Sequence, residues 1–207
     1  MAPAGVPGRV ARIGVLGGTF DPIHVGHLVV AVNARHDLNL DRVLMVVANL
    51  PWQKAGTRPI TAAEDRLAVV VAALEGVEGV EASRVEIDRG GPSYTADTLA
   101  ELASVHPGAE LFLIVGSDVA AELPTWERVE EVGQRATLVV VERPGAPPAG
   151  VAAPEPGWRV ERLTVPALDV SSSDQRARVG AGRPLDFLIP APAVNRIRQR
   201  GLYSGGR

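Results

Sequence analysis

The chain has 207 residues, of which 46% are hydrophobic and 22% charged, and its formal net charge is −3. This length fits one sizeable α/β domain, and the slight acidic excess argues against a general nucleic-acid or membrane-surface binder, because such binders usually carry a basic excess. The absence of cysteine excludes disulfides and cysteine-ligated zinc.

The first eleven residues are rich in Pro, Gly and Ala and predict a flexible tail ahead of a single domain over residues 12–207. They contain no continuous apolar segment followed by a small-residue cleavage site, so we expect no secretory signal. No apolar run in the chain approaches the roughly 18–20 residues that span a bilayer. We therefore expect a cytoplasmic protein with neither a membrane nor a nucleic acid as partner.

Short apolar runs then alternate with helical patterns, which is typical of an α/β, Rossmann-like, doubly wound parallel sheet. Near-continuous Val, Ile and Leu in several runs indicates strands that are buried on both faces. The predicted strands are Arg12–Leu16, Arg42–Ala48, Ser83–Ile87, Glu110–Val115, Ala136–Val141 and Trp158–Val165. The predicted helices are His27–His36, Ala62–Leu74, Thr95–Val105, Thr125–Val132 and, in a small C-terminal helical portion, Ala193–Arg200.

Two segments interrupt this alternation. Asn49–Thr61 contains two prolines and predicts a surface loop, and Pro144–Gly157 is so rich in Pro, Gly and Ala that we expect it to be mobile. The first segment contains Lys54, the only lysine among 21 basic residues. This could be chance, but a compact ammonium group can also serve where a planar guanidinium cannot.

The segment GGTFDPIHVGH, residues 17–27, follows the first predicted strand. Ligands of open α/β sheets bind beyond the carboxyl ends of the strands, where this segment lies. Gly17 and Gly18 allow a ligand to approach the backbone, and a helix that begins near His24 directs unpaired N–H groups to the same place. Because His24 and His27 are three residues apart, both rings project from one helical face. The combination predicts a site for a phosphate chain.

Other interpretations of the two histidines are weaker. A single histidine near a helix start is more often a cap or a surface residue. A pair three residues apart could bind zinc, but no HExxH pattern and no third ligand of the usual spacing accompany it. The Walker A and GxGxxG patterns are absent, which also disfavours an NAD-dependent dehydrogenase.

On these residues the chain resembles the nucleotidyltransferase superfamily whose hallmark is the HxGH motif, and within it the bacterial nicotinate-nucleotide adenylyltransferases. The resemblance extends from about Arg12 to Tyr203. It implies transfer of an adenylyl group from ATP to nicotinate mononucleotide, giving deamido-NAD and pyrophosphate in NAD biosynthesis. It also implies Mg²⁺ as a partner of ATP, without a protein metal ligand, and catalytic roles for His24, His27 and Arg176.

Two further motifs carry the resemblance on the ATP side. Val170–Arg176, VSSSDQR, is similar to the family's ISSTxxR motif, with Ser173 where threonine is usual, and Gly116-Ser117-Asp118 is similar to its G-x-D motif. From the residues alone, a helix N-cap is the favoured interpretation of the serine run and of Asp118, and for the serine run both roles can hold. The residues implied to bind ATP are Gly17, Gly18, Thr19, Phe20, His24, His27, Gly116, Asp118, Ser172, Ser173 and Arg176.

Three segments carry it on the mononucleotide side. Gly90–Thr95, GGPSYT, resembles the family stretch that recognises the nicotinate carboxylate, and Leu123–Trp126 resembles one whose tryptophan stacks on the pyridine ring. Simple packing is the alternative for that tryptophan. Pro51–Lys54, PWQK, stands in the place of PPHK, with Trp52 and Gln53 departing from the pattern. The residues implied to bind the mononucleotide are Asp21, Lys54, Thr95 and Trp126.

Three competing functions stay open at this point. A phosphopantetheine adenylyltransferase is the nearest rival, but that type lacks the GPSYT and LPTW segments, and a cytidylyltransferase ranks lower. A non-catalytic nucleotide-binding regulator belongs to a different class, and the presence of both histidines, Lys54 and Arg176 argues against a decayed site. The sequence leaves a homo-oligomer open.

Overall fold

The computed structural model describes residues 9–51, 58–142 and 157–204. Its strands are β1 (Arg12–Gly18), β2 (Arg42–Val47), β3 (Val80–Ser83), β4 (Glu110–Gly116), β5 (Ala136–Glu142) and β6 (Val160–Thr164). Its helices are α1 (Val25–Asp37), α2 (Ala63–Ala73), α3 (Val85–Arg89), α4 (Thr95–Val105), α5 (Ser117–Glu122), α6 (Val129–Arg135), α7 (Ser172–Gly180) and α8 (Ala191–Gln199). A 3₁₀ turn, Leu123–Thr125, follows α5 directly.

The strands form one parallel sheet in the order β3-β2-β1-β4-β5-β6. This is the strand order of the Rossmann-like doubly wound fold, so the predicted fold class is confirmed. The order reverses between β1 and β4, which are hydrogen-bonded neighbours. The crevice at this reversal lies beyond Gly18 and Gly116, where each strand ends.

Helices cover both faces of the sheet, which explains why the strands are continuous apolar runs. Successive residues of β2 enter opposite hydrophobic clusters, with Met45 and Val47 in one and Leu44 and Val46 in the other. The first cluster includes residues of α1, α2 and α8, and the second includes residues of α4, α5 and α6. A strand buried on both faces cannot alternate between apolar and polar residues.

The predicted strand Ser83–Ile87 is wrong, because β3 ends at Ser83 and α3 begins at Val85. Val85 and Ile87 imitate strand alternation, since Glu86 lies between them. In the structure Glu86 is buried, and its carboxylate accepts a hydrogen bond from the Thr98 hydroxyl at 2.6 Å. This partner is twelve residues away in the sequence, so the local pattern does not show it.

The predicted helix Thr125–Val132 is also wrong in its first half. The 3₁₀ turn ends at Thr125, Trp126 is extended with φ −77° and ψ 144°, and α6 begins only at Val129. Arg128, just before α6, adopts a left-handed conformation with φ 53°. The helical conformation is therefore interrupted between Trp126 and Arg128, and α6 is a separate helix.

Several predictions fall outside the described residues: the tail over residues 1–8, Lys54 with its neighbours Trp52 and Gln53, and residues 144–156 of the predicted mobile segment. Next to the tail, the carbonyl of Ala11 accepts a hydrogen bond from the Glu110 amide at 2.8 Å. Among the residues that are described, no helix combines the length and the apolar character needed to cross a membrane.

Candidate active site

The end of β1 holds two predicted glycines in different surroundings. A Cβ atom on Gly18 would lie 2.9 Å from the ring of Phe20, which is itself buried and has a left-handed φ of 47°. A Cβ atom on Gly17 would meet no described atom within 4 Å. Gly18 is thus needed for packing inside the protein, whereas the backbone at Gly17 is open to a ligand.

The two histidines of the loop lie against each other. The rings of His24 and His27 are stacked with their centroids 3.8 Å apart, and the Phe20 ring is nearly perpendicular to that of His27 with the centroids 5.0 Å apart. The backbone N–H of His24 donates to Nδ1 of His27 at 3.2 Å. Because Nδ1 accepts this bond, a neutral His27 carries its proton on Nε2, the nitrogen that can donate to an anion.

The amides at the start of α1 are partly engaged by the protein itself. The N–H of Val25 donates to the carbonyl of Leu188 at 2.9 Å, and that of His27 donates to the carbonyl of His24 at 3.0 Å. The unpaired N–H groups that we expect to point at a ligand therefore do not include these two amides. The Val25 bond comes from the docking of the segment before α8 on the start of α1, and the His27 bond closes a turn with His24.

Gly26 lies at a second close approach within this region. A Cβ atom there would meet Val170 at 3.0 Å and the His24 ring at 3.1 Å. Val170 immediately precedes the serine run that opens α7. Gly26 therefore allows the segment leading into α7 to pack against the start of α1.

The structure brings the second ATP motif directly onto the first. The Ser172 hydroxyl donates to the Pro22 carbonyl at 2.8 Å, and Arg176 donates to the Asp21 carbonyl at 2.6 Å. Arg176 also donates to the Ser173 hydroxyl at 2.9 Å. The bonds to Pro22 and Asp21 join residues that are at least 150 positions apart in the sequence. We call residues 17–27 together with residues 171–176 the phosphate junction.

Asp21 is almost completely buried, with 1% exposure, and its carboxylate accepts a hydrogen bond from Arg58 at 2.5 Å. Burial alone raises the pKa of Asp21, but Thr61, Arg58 and Tyr203 lower it, and the net result is a pKa below the ordinary value of 3.8. The group is therefore ionised at neutral pH. Asp21 was predicted to bind the mononucleotide, and in this arrangement its carboxylate faces Arg58.

Arg66 ties the loops of the site together, and the sequence analysis missed it. Its side chain is 1% exposed and donates to the carbonyls of Thr19 at 2.7 Å, Thr61 at 2.8 Å and Asn49 at 3.1 Å. Burial lowers its pKa from the ordinary value. One buried guanidinium thus fixes the segments after β1, after β2 and before α2. A charged residue amid the apolar pattern of α2 was the only signal that could have revealed it.

The segments after β2 and before α4 also dock on each other. The Asn49 side-chain amide donates to the Gly91 carbonyl at 2.9 Å, and the Ser93 amide donates to the Leu50 carbonyl at 3.0 Å. Gly91 has a φ of 68°, a left-handed conformation that favours glycine. Thr95 follows as the first residue of α4 and is half-buried.

A cleft of about 180 Å³ lies beside the contact between these two segments. It is lined by Asn49, Leu50, Pro51, Ile60, Thr61, Ala62, Ala63 and Arg66.

The two remaining predicted residues lie on the other side of the reversal. Asp118 is exposed in the first turn of α5, and a Cβ atom on Gly116 would come within 2.4 Å of its carboxylate, so that carboxylate lies over Gly116. Trp126 is half-buried and packs against the hydrophobic cluster that includes Leu123 and Val132. The described contacts of these two residues do not reach the phosphate junction.

Comparisons with known proteins concern the family and the fold of the chain. The cytidylyltransferase-like family matches residues 15–178. The chain is 44% identical over 197 residues to a Saccharopolyspora erythraea protein named "Probable nicotinate-nucleotide adenylyltransferase", and the match covers 95% of this chain and 92% of that protein. It is 46% identical over 191 residues to a Streptomyces coelicolor protein of the same name, with 92% of this chain and 100% of that protein covered.

Among solved structures, the chain is similar to the Plasmodium falciparum nicotinic acid mononucleotide adenylyltransferase complexed with NaAD. The TM-score is 0.78 at 18% sequence identity, and the match covers 95% of this chain and 98% of that chain. At this identity the likeness concerns the fold, and it agrees with the doubly wound sheet described above.

Proposed function

The chain belongs to the nicotinate-nucleotide adenylyltransferases of the cytidylyltransferase-like family, and we propose that it transfers the adenylyl group of ATP to nicotinate mononucleotide. The products are deamido-NAD and pyrophosphate. The observation that carries the proposal is the phosphate junction. There the Arg176 guanidinium donates to the Asp21 carbonyl, close in the sequence to the stacked imidazoles of His24 and His27. Guanidinium and imidazole donors beside an open glycine backbone suit a polyphosphate.

The reaction is a direct displacement at phosphorus. An oxygen of the mononucleotide 5′-phosphate attacks the α-phosphorus of ATP, and the bond from that phosphorus to the bridging oxygen of the β-phosphate breaks. Pyrophosphate leaves with the electron pair of that bond. Because the attacking phosphate is already ionised at pH 7, the protein needs only to align the groups and stabilise charge.

We assign the catalytic roles to His24, His27 and Arg176. His27 donates from Nε2 to the phosphate oxygens on which charge develops, and His24 supports it from the stacked position. Arg176 neutralises charge on the departing pyrophosphate. The phosphates are proposed to lie against six residues: Gly17, Gly18, Thr19, Phe20, Ser172 and Ser173. The adenosine is proposed to bind at Gly116 and Asp118, because its ribose hydroxyls can donate to a carboxylate.

The mononucleotide is proposed to bind on the side of β2 and β3. There the loop before α4 brings Thr95 and neighbouring amides to the nicotinate carboxylate. Trp126, after the 3₁₀ turn on the other side of the reversal, is proposed to stack on the pyridine ring from that side. Lys54, outside the described residues, is proposed to contact the 5′-phosphate. A carboxylate and an amide are nearly the same shape, so selection of nicotinate depends on these donors.

Mg²⁺ enters the proposal as part of the ATP substrate. Within residues 9–51, 58–142 and 157–204, no cluster of three or more His, Asp or Glu residues could hold a metal ion. Mg²⁺ commonly keeps several waters and binds through substrate phosphates. The donors of the phosphate junction therefore fit the phosphates, and the phosphates carry the ion.

The proposed partners are the two small-molecule substrates alone. The net charge of −3 gives no support for nucleic acid or a membrane surface as a partner. We propose the cytoplasm as the location, since that compartment supplies ATP.

Pyrophosphate release tests the proposed function. Purified protein with Mg²⁺–ATP is offered nicotinate mononucleotide and nicotinamide mononucleotide in parallel reactions. We expect fast release with the acid and weak release with the amide. Equal release would contradict the preference for nicotinate, and no release with either, while ATP still binds, would indicate a nucleotide-binding regulator.

A further inference from the structure

The guanidinium of Arg58 is hydrogen-bonded to the protein through one of its three nitrogens. Its Nη1 donates to the Asp21 carboxylate at 2.5 Å and to the Pro59 carbonyl at 2.8 Å. The structure records no hydrogen bond from its other two nitrogens to any described residue, and 26% of the side chain is exposed. A guanidinium held in this way presents a free N–H edge in a fixed direction, which suits a phosphate.

The anchor of Arg58 is a permanent charge inside the protein. Asp21 is 1% exposed, and its pKa lies below the ordinary value because Thr61, Arg58 and Tyr203 outweigh the effect of burial. A carboxylate so deeply placed cannot contact a substrate phosphate, which it would in any case repel. Its hydrogen bond to Arg58 gives it a way to act on a substrate, by orienting that guanidinium.

Positive charge accumulates around Asp21. Arg58 bonds to its carboxylate, Arg176 bonds to its carbonyl, and Arg66 bonds to the carbonyl of Thr19 two residues earlier. Burial lowers the pKa of both Arg66 and Arg176, and the charge of Arg58 lowers the pKa of each of them further, while the nearby Asp21 carboxylate opposes these shifts. Three guanidinium groups thus lie near the Asp21 carboxylate, and an anion would balance the remaining charge.

The position of Arg58 in the fold indicates which phosphate it meets. It belongs to the segment between β2 and α2, on the same side of the sheet as the docked loops of Asn49 and Gly91. In the proposed function this is the side of the mononucleotide, and the adenosine lies on the side of β4. Through Asp21, Arg58 also adjoins Arg176 of the phosphate junction. A phosphate at Arg58 is therefore placed between the two substrates.

We propose that Arg58 binds the attacking 5′-phosphate of the mononucleotide, and that Asp21 is the positioning residue that directs its guanidinium. This inference rests on the proposed function. It gives the buried Asp21–Arg58 pair a role in aligning the nucleophile, beyond its contribution to the fold.

Binding of two ligands that differ by one phosphate tests the inference. Titration calorimetry measures nicotinate mononucleotide, nicotinate riboside, which lacks the 5′-phosphate, and Mg²⁺–ATP against each variant. In Arg58→Met we expect the Kd of the mononucleotide to rise roughly 10- to 100-fold, the range for a lost hydrogen bond between charged groups. The riboside and Mg²⁺–ATP should bind as they do to the wild type.

A second variant and a control guard against a change of fold. Arg58→Met strands the buried Asp21 carboxylate, so the double variant Asp21→Asn/Arg58→Met removes both charges and should show the same selective loss for the mononucleotide. Arg84→Met removes an exposed arginine that pairs with Glu64 and Asp88, and it should leave all three affinities unchanged. Thermal unfolding of each variant accompanies the titrations.

Three results would overturn the inference: unchanged mononucleotide binding in both Arg58 variants, an equal loss for the riboside, or a loss confined to Mg²⁺–ATP. Each is separable from failure of the proposed function, because wild-type pyrophosphate release with nicotinate mononucleotide is measured on the same preparation. If the wild type turns over and one of these results is found, only the role of Arg58 falls. If the wild type releases no pyrophosphate, the proposed function falls first.

Discussion

The phosphate junction and the adenosine side of the crevice differ in how firmly the protein holds their functional side chains. In the junction, Arg176 and Ser172 are tied by side-chain hydrogen bonds to Asp21 and Pro22. On the adenosine side, the exposed Asp118 carboxylate lies over Gly116, and no hydrogen bond joins it to another described residue. The difference teaches that the groups proposed to stabilise charge are fixed before a substrate arrives, whereas a group that recognises the outer part of a substrate can be oriented by it.

The strongest way to break this contrast is to remove a donor from the junction. His27→Ala deletes the imidazole stacked on His24. We expect turnover to fall on the order of 10²–10³-fold, the loss found when a preorganised donor to a developing charge is removed. Initial rates of pyrophosphate release measure kcat, and unfolding curves establish that the fold survives.

His36→Ala is the matched control for this substitution. His36 lies in the last turn of the same helix, its side chain is 89% exposed, and it pairs with Asp37. Its removal should leave kcat unchanged. A fully active His27→Ala enzyme would sink the catalytic assignment.

The second prediction concerns Arg66, the buried guanidinium that links the loops of the site. Arg66→Met leaves the carbonyls of Thr19, Asn49 and Thr61 without their donor. We expect the free energy of unfolding to fall by about 3 kcal/mol, because buried polar groups left unsatisfied cost on the order of 1–3 kcal/mol each and some become hydrated. Urea denaturation measures the loss.

Arg84→Met provides the comparison for Arg66, since an exposed substitution away from such features usually changes stability by no more than about 0.5 kcal/mol. Losses of unfolding free energy of similar size in the two variants would show that the Arg66 hydrogen bonds contribute nothing specific to stability. A large loss for Arg66→Met alone would sharpen the distinction between the fixed and the open side of the crevice.

The third prediction addresses the open side. In Gly116→Ala the added Cβ displaces the Asp118 carboxylate, which now lies within 2.4 Å of that position. We expect the Kd of Mg²⁺–ATP to rise roughly tenfold, corresponding to a lost hydrogen bond of about 1.4 kcal/mol, with stability little changed. Calorimetric titration of ATP checks this, and mononucleotide binding serves as the internal reference. A variant that binds ATP normally would show that Asp118 has no part in the adenosine site.

The smallest predicted effect is a pH dependence that comes from Asp21. Its folded pKa is lowered below 3.8 through Thr61, Arg58 and Tyr203, so its contribution to stability is present above the unfolded pKa and is lost as pH falls through the folded one. Wild type should therefore be more stable than Asp21→Asn at pH 7, and the difference should shrink below about pH 4. Urea midpoints at several pH values measure it. A difference that is independent of pH would contradict the charged state assigned to Asp21.

The sequence predicted the fold well wherever a strand is an uninterrupted apolar run, because burial on both faces leaves a clear pattern. It failed at Glu86, whose burial depends on the Thr98 hydroxyl supplied by another helix. Short apolar alternation cannot distinguish a strand from a helical turn when the partner of a polar residue is remote.

The candidate site was predictable only as far as its motifs extend. The HxGH segment and the serine run were visible in the sequence because their residue types are unusual for their spacing. Arg58, Arg66 and Tyr203 were not visible, since each takes its role from a neighbour far along the chain. Twenty arginines offered no means of telling a buried clamp from a solvated side chain.

The attachment of the C-terminal region to the first loop has a consequence for synthesis. The histidine loop emerges early during translation, but the residues that hold it come much later: Arg176 bonds to Asp21 across 155 positions, and Leu188 accepts from Val25. Domains fold as their segments become available, and contacts of high sequence separation form late. A growing chain therefore completes its phosphate-binding loop only near the end of translation, so a prematurely terminated product retains the histidines without the groups that position them.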